Sequence, residues 1–272
     1  MPTPAELLFA YRMTVVVGGL LVASSFAGLL YTHTGVYDVN AATLPALLGQ
    51  DGLALVFGAP MLLVSSRLAR RGSVRGLLCW MGALFYVAYF WYFYVVGIKF
   101  SLLFVPHIAL VSMSLFALLY LLFSIDLDRL TERFDARMPV RLIGGFLMVT
   151  AVAFAVLWLG LISAAVANRQ PLDAATRYVI AIDGVVLLPL SFFGGVWIWR
   201  REPRGYAVAA LLLVKMVATF LTLVVTGVVS VWWGVSVDVL QSALYGAGLI
   251  GAAWLLILAL RSVTGEISGA TV

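Results

Sequence analysis

The sequence predicts an all-α fold: a polytopic transmembrane bundle of about eight helices, arranged as two parallel four-helix repeats. Three observations predict it. Hydrophobic residues make up 64% and charged residues 11% of 272 positions, against roughly 25% charged in a soluble domain. Such a chain cannot solvate its own surface and must face lipid. Apolar stretches of roughly 18–25 residues recur along it, each long enough to cross about 30 Å of hydrocarbon. One pattern of punctuation also occurs twice. Asp51-Gly52 leads an apolar run holding Pro60 and ending in Arg70-Arg71 and Gly76, and Asp183-Gly184 leads one holding Pro189 and ending in Arg200-Arg201 and Gly205.

The predicted spans are 12–32, 51–69, 76–97, 102–124, 141–166, 178–199, 205–230 and 237–260. The first is too long for the apolar core of a signal peptide and has a counterpart in 141–166, so it is kept as a span. Residues 1–124 form the first repeat, 125–140 a linker and 141–272 the second repeat. Gly18-Gly19 parallels Gly144-Gly145, and Gly97 parallels Gly227. Repeats with an even number of spans are parallel, related by an axis along the membrane normal. In the linker, Leu127, Leu130, Phe134 and Met138 recur at helical spacing among charged residues. That pattern predicts an amphipathic helix on the cytoplasmic surface, with a solvated linker as the plainer alternative.

Orientation follows from the arginines. Arg12, Arg67, Arg70, Arg71, Arg75, Arg129, Arg133, Arg137, Arg141, Arg200, Arg201, Arg204 and Arg261 fall on one side, and only Lys99, Arg169 and Arg177 on the other. The positive-inside rule makes the first side cytoplasmic, with both termini inside. The net charge of +5 therefore reports topology and implies no nucleic-acid partner. A single cysteine, Cys79, excludes an intrachain disulfide and thiolate metal clusters, and two histidines, His33 and His107, argue against a multi-histidine metal centre. The runs LARRGSVRG and AIDGVVLLPLSFFGGVWIWRREPRGY resemble those of multi-pass proteins from bacterial genomes that carry no assigned function. The resemblance implies a bacterial inner (plasma) membrane and nothing about chemistry.

Ionisable groups at membrane depth are costly and mark interiors or water-filled cavities. Asp183 lies about 9 Å below the outer boundary of its span, and Lys215 near the midplane of the next. Tyr86 holds the equivalent depth in span three, Asp51 the outer end of span two, and His107 and Asp238 the outer ends of spans four and eight. All six candidates lie in the outer half or at the middle, which predicts a polar vestibule open to the outside. Lys215 and Asp183 are expected to share it, in direct or water-mediated contact. The plainer alternative is a structural ion pair. A covalent role for Lys215 toward a retinal-like aldehyde is the least favoured option. For Asp51, helix capping is the simpler account. Pro60 and Pro189 are expected to kink their helices.

The aromatic run Phe85–Tyr94 reads first as an interfacial belt and second as a stacking surface for a quinone or lipid. A haem held between His33 and His107 is disfavoured. Gly246, Gly248 and Gly251 match a dinucleotide-binding pattern only by letter and predict a close helix contact instead.

Three functions follow from these features. The first is transport or binding of a small solute or ion, motivated by the parallel repeat, the proline-broken acidic helices and the midplane lysine. The second is a membrane enzyme or redox protein acting on a lipid or quinone. The third is a non-catalytic subunit or sensor that binds a partner, or a second copy of itself, through small-residue faces. The bilayer is a partner in all three. The sequence assigns no catalytic residue and names no cofactor.

Overall fold

The computed structural model describes residues 4–32, 36, 37, 39, 41, 43–98 and 100–264. His33 and Lys99, noted above, lie outside the described residues. Among the described residues, eight helices are long and apolar enough to cross a membrane. They are α1 (Pro4–Leu30), α2 (Leu44–Arg70), α3 (Val74–Val96), α4 (Phe104–Ser124), α6 (Val140–Ala167), α7 (Ala174–Trp199), α8 (Pro203–Trp232) and α9 (Val239–Arg261), with a short α5 (Leu127–Thr131) between the halves. Among the described residues there is no strand, only one isolated bridge between Phe134 and Val263. The chain is a multi-pass helical membrane protein.

The spans start earlier than expected in three places. The first helix begins at Pro4, and α2 and α7 begin at Leu44 and Ala174. Pro45 and Gly49 break the apolar pattern of segment 44–50 in the sequence, but Pro45 stands in the first turn, where its missing N–H costs nothing. Asp173 caps α7 by accepting from the Thr176 amide at 3.0 Å. These shifts place Asp51 and Asp183 well inside their helices.

Helices α3 and α8 form the centre and pack against each other. Gly82 makes that contact possible, because a Cβ there would sit 2.4 Å from Val214 Cβ. In the first half α1, α2, α3 and α4 close into a ring, α1 packing along α4. In the second half α7 packs on α6 and α8, and α9 on α8, but α9 has little contact with α6. Gly248 and Gly251 of α9 lie against Phe220 and Phe146, as the small-residue pattern predicts. The Arg-Arg turns are tight in both halves. Gly76 abuts backbone at Leu68–Ala69, and Gly205 abuts backbone at Trp197–Ile198.

The linker corrects an expectation. Instead of one amphipathic surface helix it forms the five-residue α5, then a series of turns. Leu130, Phe134 and Met138 are buried, with Phe134 against Tyr206 of α8 at 5.0 Å between ring centroids. Backbone bonds from Asp135 N to Ser262 O (2.8 Å) and from Thr264 N to Arg133 O (2.7 Å) tie it to the chain after α9. Its apolar positions are satisfied by the arginine-rich end of the bundle rather than by lipid.

Candidate functional site

Asp183 is delivered by a break in α7. Residues Asp183–Leu187 form one π-helical turn, followed by Leu188 and Pro189. Proline lacks an N–H and its ring clashes with the carbonyl four residues back, so a widened turn ahead of it relieves the helix. The same device occurs in α2, where π turn Ala54–Gly58 precedes Pro60.

The Asp183 carboxylate is buried, with 3% exposure. Its Oδ1 accepts from the Tyr89 hydroxyl of α3 at 2.5 Å, and its Oδ2 accepts from Trp158 Nε1 of α6 at 3.0 Å. Lys215 of α8 is fully buried. Its Nζ sits over the Tyr89 ring, 3.5 Å from the centroid, and has no hydrogen-bond partner among the described residues. Of the direct or water-mediated contact expected between the two charges, the direct form is not made. Tyr89 stands between them, its hydroxyl on the carboxylate and its ring face under the ammonium, a cation–π arrangement.

Asp183 and Lys215 line one cavity of about 260 Å³. It runs from Thr43, just before α2, down to Lys215 and Ser191 at mid-span, between α2, α3, α6, α7, α8 and α9. The expected polar vestibule is in fact mostly apolar and aromatic: Phe90, Phe93, Phe154, Trp158 and Phe220 form much of its wall. Among the described residues, four buried polar atoms on lining residues lack a partner: Gln50 Oε1, Ser191 Oγ, Thr219 Oγ1 and Lys215 Nζ. Buried polar groups are normally satisfied, so four around one space mark it as a place for water or a solute.

Tyr86 is buried behind the wall, bonded to two lining residues. Gln50 Nε2 donates to its oxygen at 3.1 Å. Thr222 Oγ1 donates to Ala218 O at 2.9 Å, so the 3.1 Å Tyr86–Thr222 bond runs from the tyrosine hydroxyl. Gln50 spends its amide on Tyr86, and its carbonyl oxygen is left over.

Asp51 and His107 belong to a separate cluster inside the first half. Asp51 is 1% exposed, so it is no cap. Tyr37 donates to Asp51 Oδ2 at 2.6 Å, and the Tyr94 hydroxyl approaches Oδ1 at 3.4 Å. Burial, then the Asp51 charge and hydrogen bond, push the Tyr37 phenol well above its ordinary range, so it stays a donor. Gly28 passes so close that a Cβ there would lie 2.3 Å from both Asp51 Oδ2 and Tyr37 Oη. His107 is buried edge-on to Tyr94 at 5.0 Å. Asp238 is exposed and caps α9, accepting from Gln241 N at 2.7 Å. It takes no part in either cluster.

Sequence reasoning missed Tyr89, Trp158 and Gln50. Tyr89 was visible only as part of the aromatic run assigned to an interfacial belt. That run faces inward instead, because α3 is central: Tyr86 and Trp91 are fully buried. Tyr89 follows Tyr86 by one turn, a spacing that pairs side chains on one helix face. Trp232 and Trp233 are exposed at the end of α8, as a belt requires.

The fold and site define a class: a multi-pass membrane protein holding a tyrosine-bridged carboxylate and amine in a cavity between its helices. Comparison with protein-family models, with curated proteins and with solved structures finds no match.

Proposed function

We propose that the protein is a carrier that binds a small solute or ion in the cavity between Asp183 and Lys215. The observation that carries this reading is a cavity four of whose described lining residues hold a buried polar atom without a partner, Lys215 at mid-span among them. A charged lysine at that depth costs roughly 2.5–3.5 kcal/mol on insertion scales. A bound group that supplies an acceptor offsets this. The arginine-rich end faces the cytoplasm of a bacterial cell in this reading, with the cavity reached from outside. The π turns and prolines of α2 and α7 are the elements suited to rearrangement.

The test needs no knowledge of the solute. In a Cys79→Ser background, Thr219→Cys places one thiol in the cavity wall. A carrier exposes it alternately, so a membrane-impermeant maleimide should react from either side of sealed vesicles. Reaction from one side alone, under every ionic condition and pH tried, would rule out transport through this cavity. The aromatic wall favours a second reading, a membrane enzyme or redox protein working on a quinone or lipid. One-sided labelling with turnover of such a molecule would select it.

A further inference from the structure

We infer that the cavity is built for an uncharged, apolar molecule bearing a carbonyl oxygen, which takes a hydrogen bond from Lys215. The inference rests on the reading that a solute occupies this cavity. Its chemistry follows from three features of the wall and one of its surroundings.

The described lining residues carry one carboxylate, Asp183, and one amine, Lys215, which balance each other. A further anion would be left without a countercharge in a buried site, where that is costly. The hydrogen-bonding needs of the two groups differ. Asp183 already accepts from Tyr89 and Trp158, whereas Lys215 Nζ rests on the Tyr89 ring with no acceptor. The missing group is an acceptor, and it has to be neutral. The body of the ligand is set by the aromatic wall of Phe90, Phe93, Phe154 and Phe220, which prefers an apolar, preferably flat, partner. The surroundings agree. The cavity is bordered by α6, α7 and α9, whose halves remote from the arginines expose Val156, Leu159, Val185 and Leu244 to lipid, the phase in which such a molecule dissolves.

The experiment compares three naphthalenes of similar size with the full-length protein in nanodiscs of ether-linked lipid, which contain no lipid carbonyl. The probes are 2-acetylnaphthalene, 2-ethylnaphthalene and 2-naphthoate, and binding is read by equilibrium dialysis against empty nanodiscs. The ketone should bind saturably and about tenfold or more tighter than the hydrocarbon, the factor expected for one hydrogen bond from a charged donor. Lys215→Met alone leaves Asp183 uncompensated and endangers folding. The double variant Lys215→Met, Asp183→Asn keeps the site neutral. It should lower ketone affinity to that of the hydrocarbon, while Lys215→Gln paired with Asp183→Asn, which retains a donor at 215, should keep part of the preference.

Tighter binding of 2-naphthoate would overturn the inference in favour of an anion site. Equal loss of all three probes in the double variant, or no saturable binding, would overturn it as well. If ester-linked lipid abolishes ketone binding that ether-linked lipid permits, the carbonyl comes from the bilayer and the same chemistry stands. Two-sided labelling of Thr219→Cys without a ketone preference would sink the ligand class and leave the carrier. A ketone preference with one-sided labelling would do the reverse.

Discussion

Tyr89 touches both charges of the site, and its geometry lets one side chain serve two partners. The hydroxyl dipole points at the Asp183 carboxylate while the ring's negative face meets the Lys215 ammonium. Removing either charge alone strands the other. Lys215→Met should therefore destabilise the protein by about 3 kcal/mol or more, and the Lys215→Met, Asp183→Asn double variant should recover most of the loss. Thermal unfolding in detergent measures both. A double variant no more stable than the single one would show that the charges do not compensate each other. The Asp51 cluster makes a different prediction because its constraint is steric. Gly28→Ala puts a methyl group where Asp51 and Tyr37 meet and should cost about 1–3 kcal/mol. Adding Asp51→Ala vacates most of that space, so the double variant should lose less than the sum of the single losses. Strict additivity would mean that Gly28 does not act through this contact.

At the scale of elements, what was legible depended on whether a residue type has one job or several. Arginines at helix ends and long apolar runs have one job in a membrane protein, so the number of spans and most of their bounds could be read. Lys215 was equally readable, since nothing but a buried interior explains a lysine within a thirty-residue apolar helix. Aspartate and tyrosine serve several purposes. Asp51, Asp183 and Asp238 look alike in sequence, yet of the three only Asp238 is a cap, because α2 and α7 begin at Leu44 and Ala174, seven and nine positions upstream of the other two. The inward turn of the α3 aromatics depends on which helix is central, a property of packing that no local pattern encodes. Gly82 records that centrality. Gly82→Ala should wedge α3 from α8 and lower the unfolding temperature, at a cost of about 1–3 kcal/mol. Val214→Gly in the same chain should restore part of it, since Val214 Cβ and Cγ1 are the nearest atoms the new methyl meets. If the methyl is accommodated with no change in unfolding temperature, the α3–α8 contact is looser than the backbone separation implies.

For the whole molecule, the first question is orientation. With Cys79 replaced, a cysteine at 170 should react with an impermeant reagent from outside and one at 202 only from inside; the opposite pattern would invert the orientation. The second question is the proposed duplication, for which the structure supplies a consistent register. The same 129-residue offset (189 − 60) relates Pro60 to Pro189, Ala54 to Asp183, Gly76 to Gly205 and Tyr86 to Lys215, and it relates the two π turns. In this register Asp51 has no acidic counterpart, since the equivalent position is Ile180. The two buried clusters therefore do not correspond residue by residue. If the halves arose from one repeat about an axis along the membrane normal, α3 and α8 are equivalent helices that meet at that axis. The first half already closes its own ring of four helices, and its surface next to the axis is the face of α3 that α8 now covers. Expressed alone, residues 1–139 should therefore pair through α3 into a symmetric dimer, with Phe93 standing where Thr222 meets Tyr86. Gly82→Trp should abolish that dimer by blocking close approach. Sedimentation in detergent distinguishes the outcomes. A folded first half that stays monomeric at every concentration, or a dimer indifferent to Gly82→Trp, would argue against a shared axis and leave the repeated punctuation as convergence on the same helix breaks.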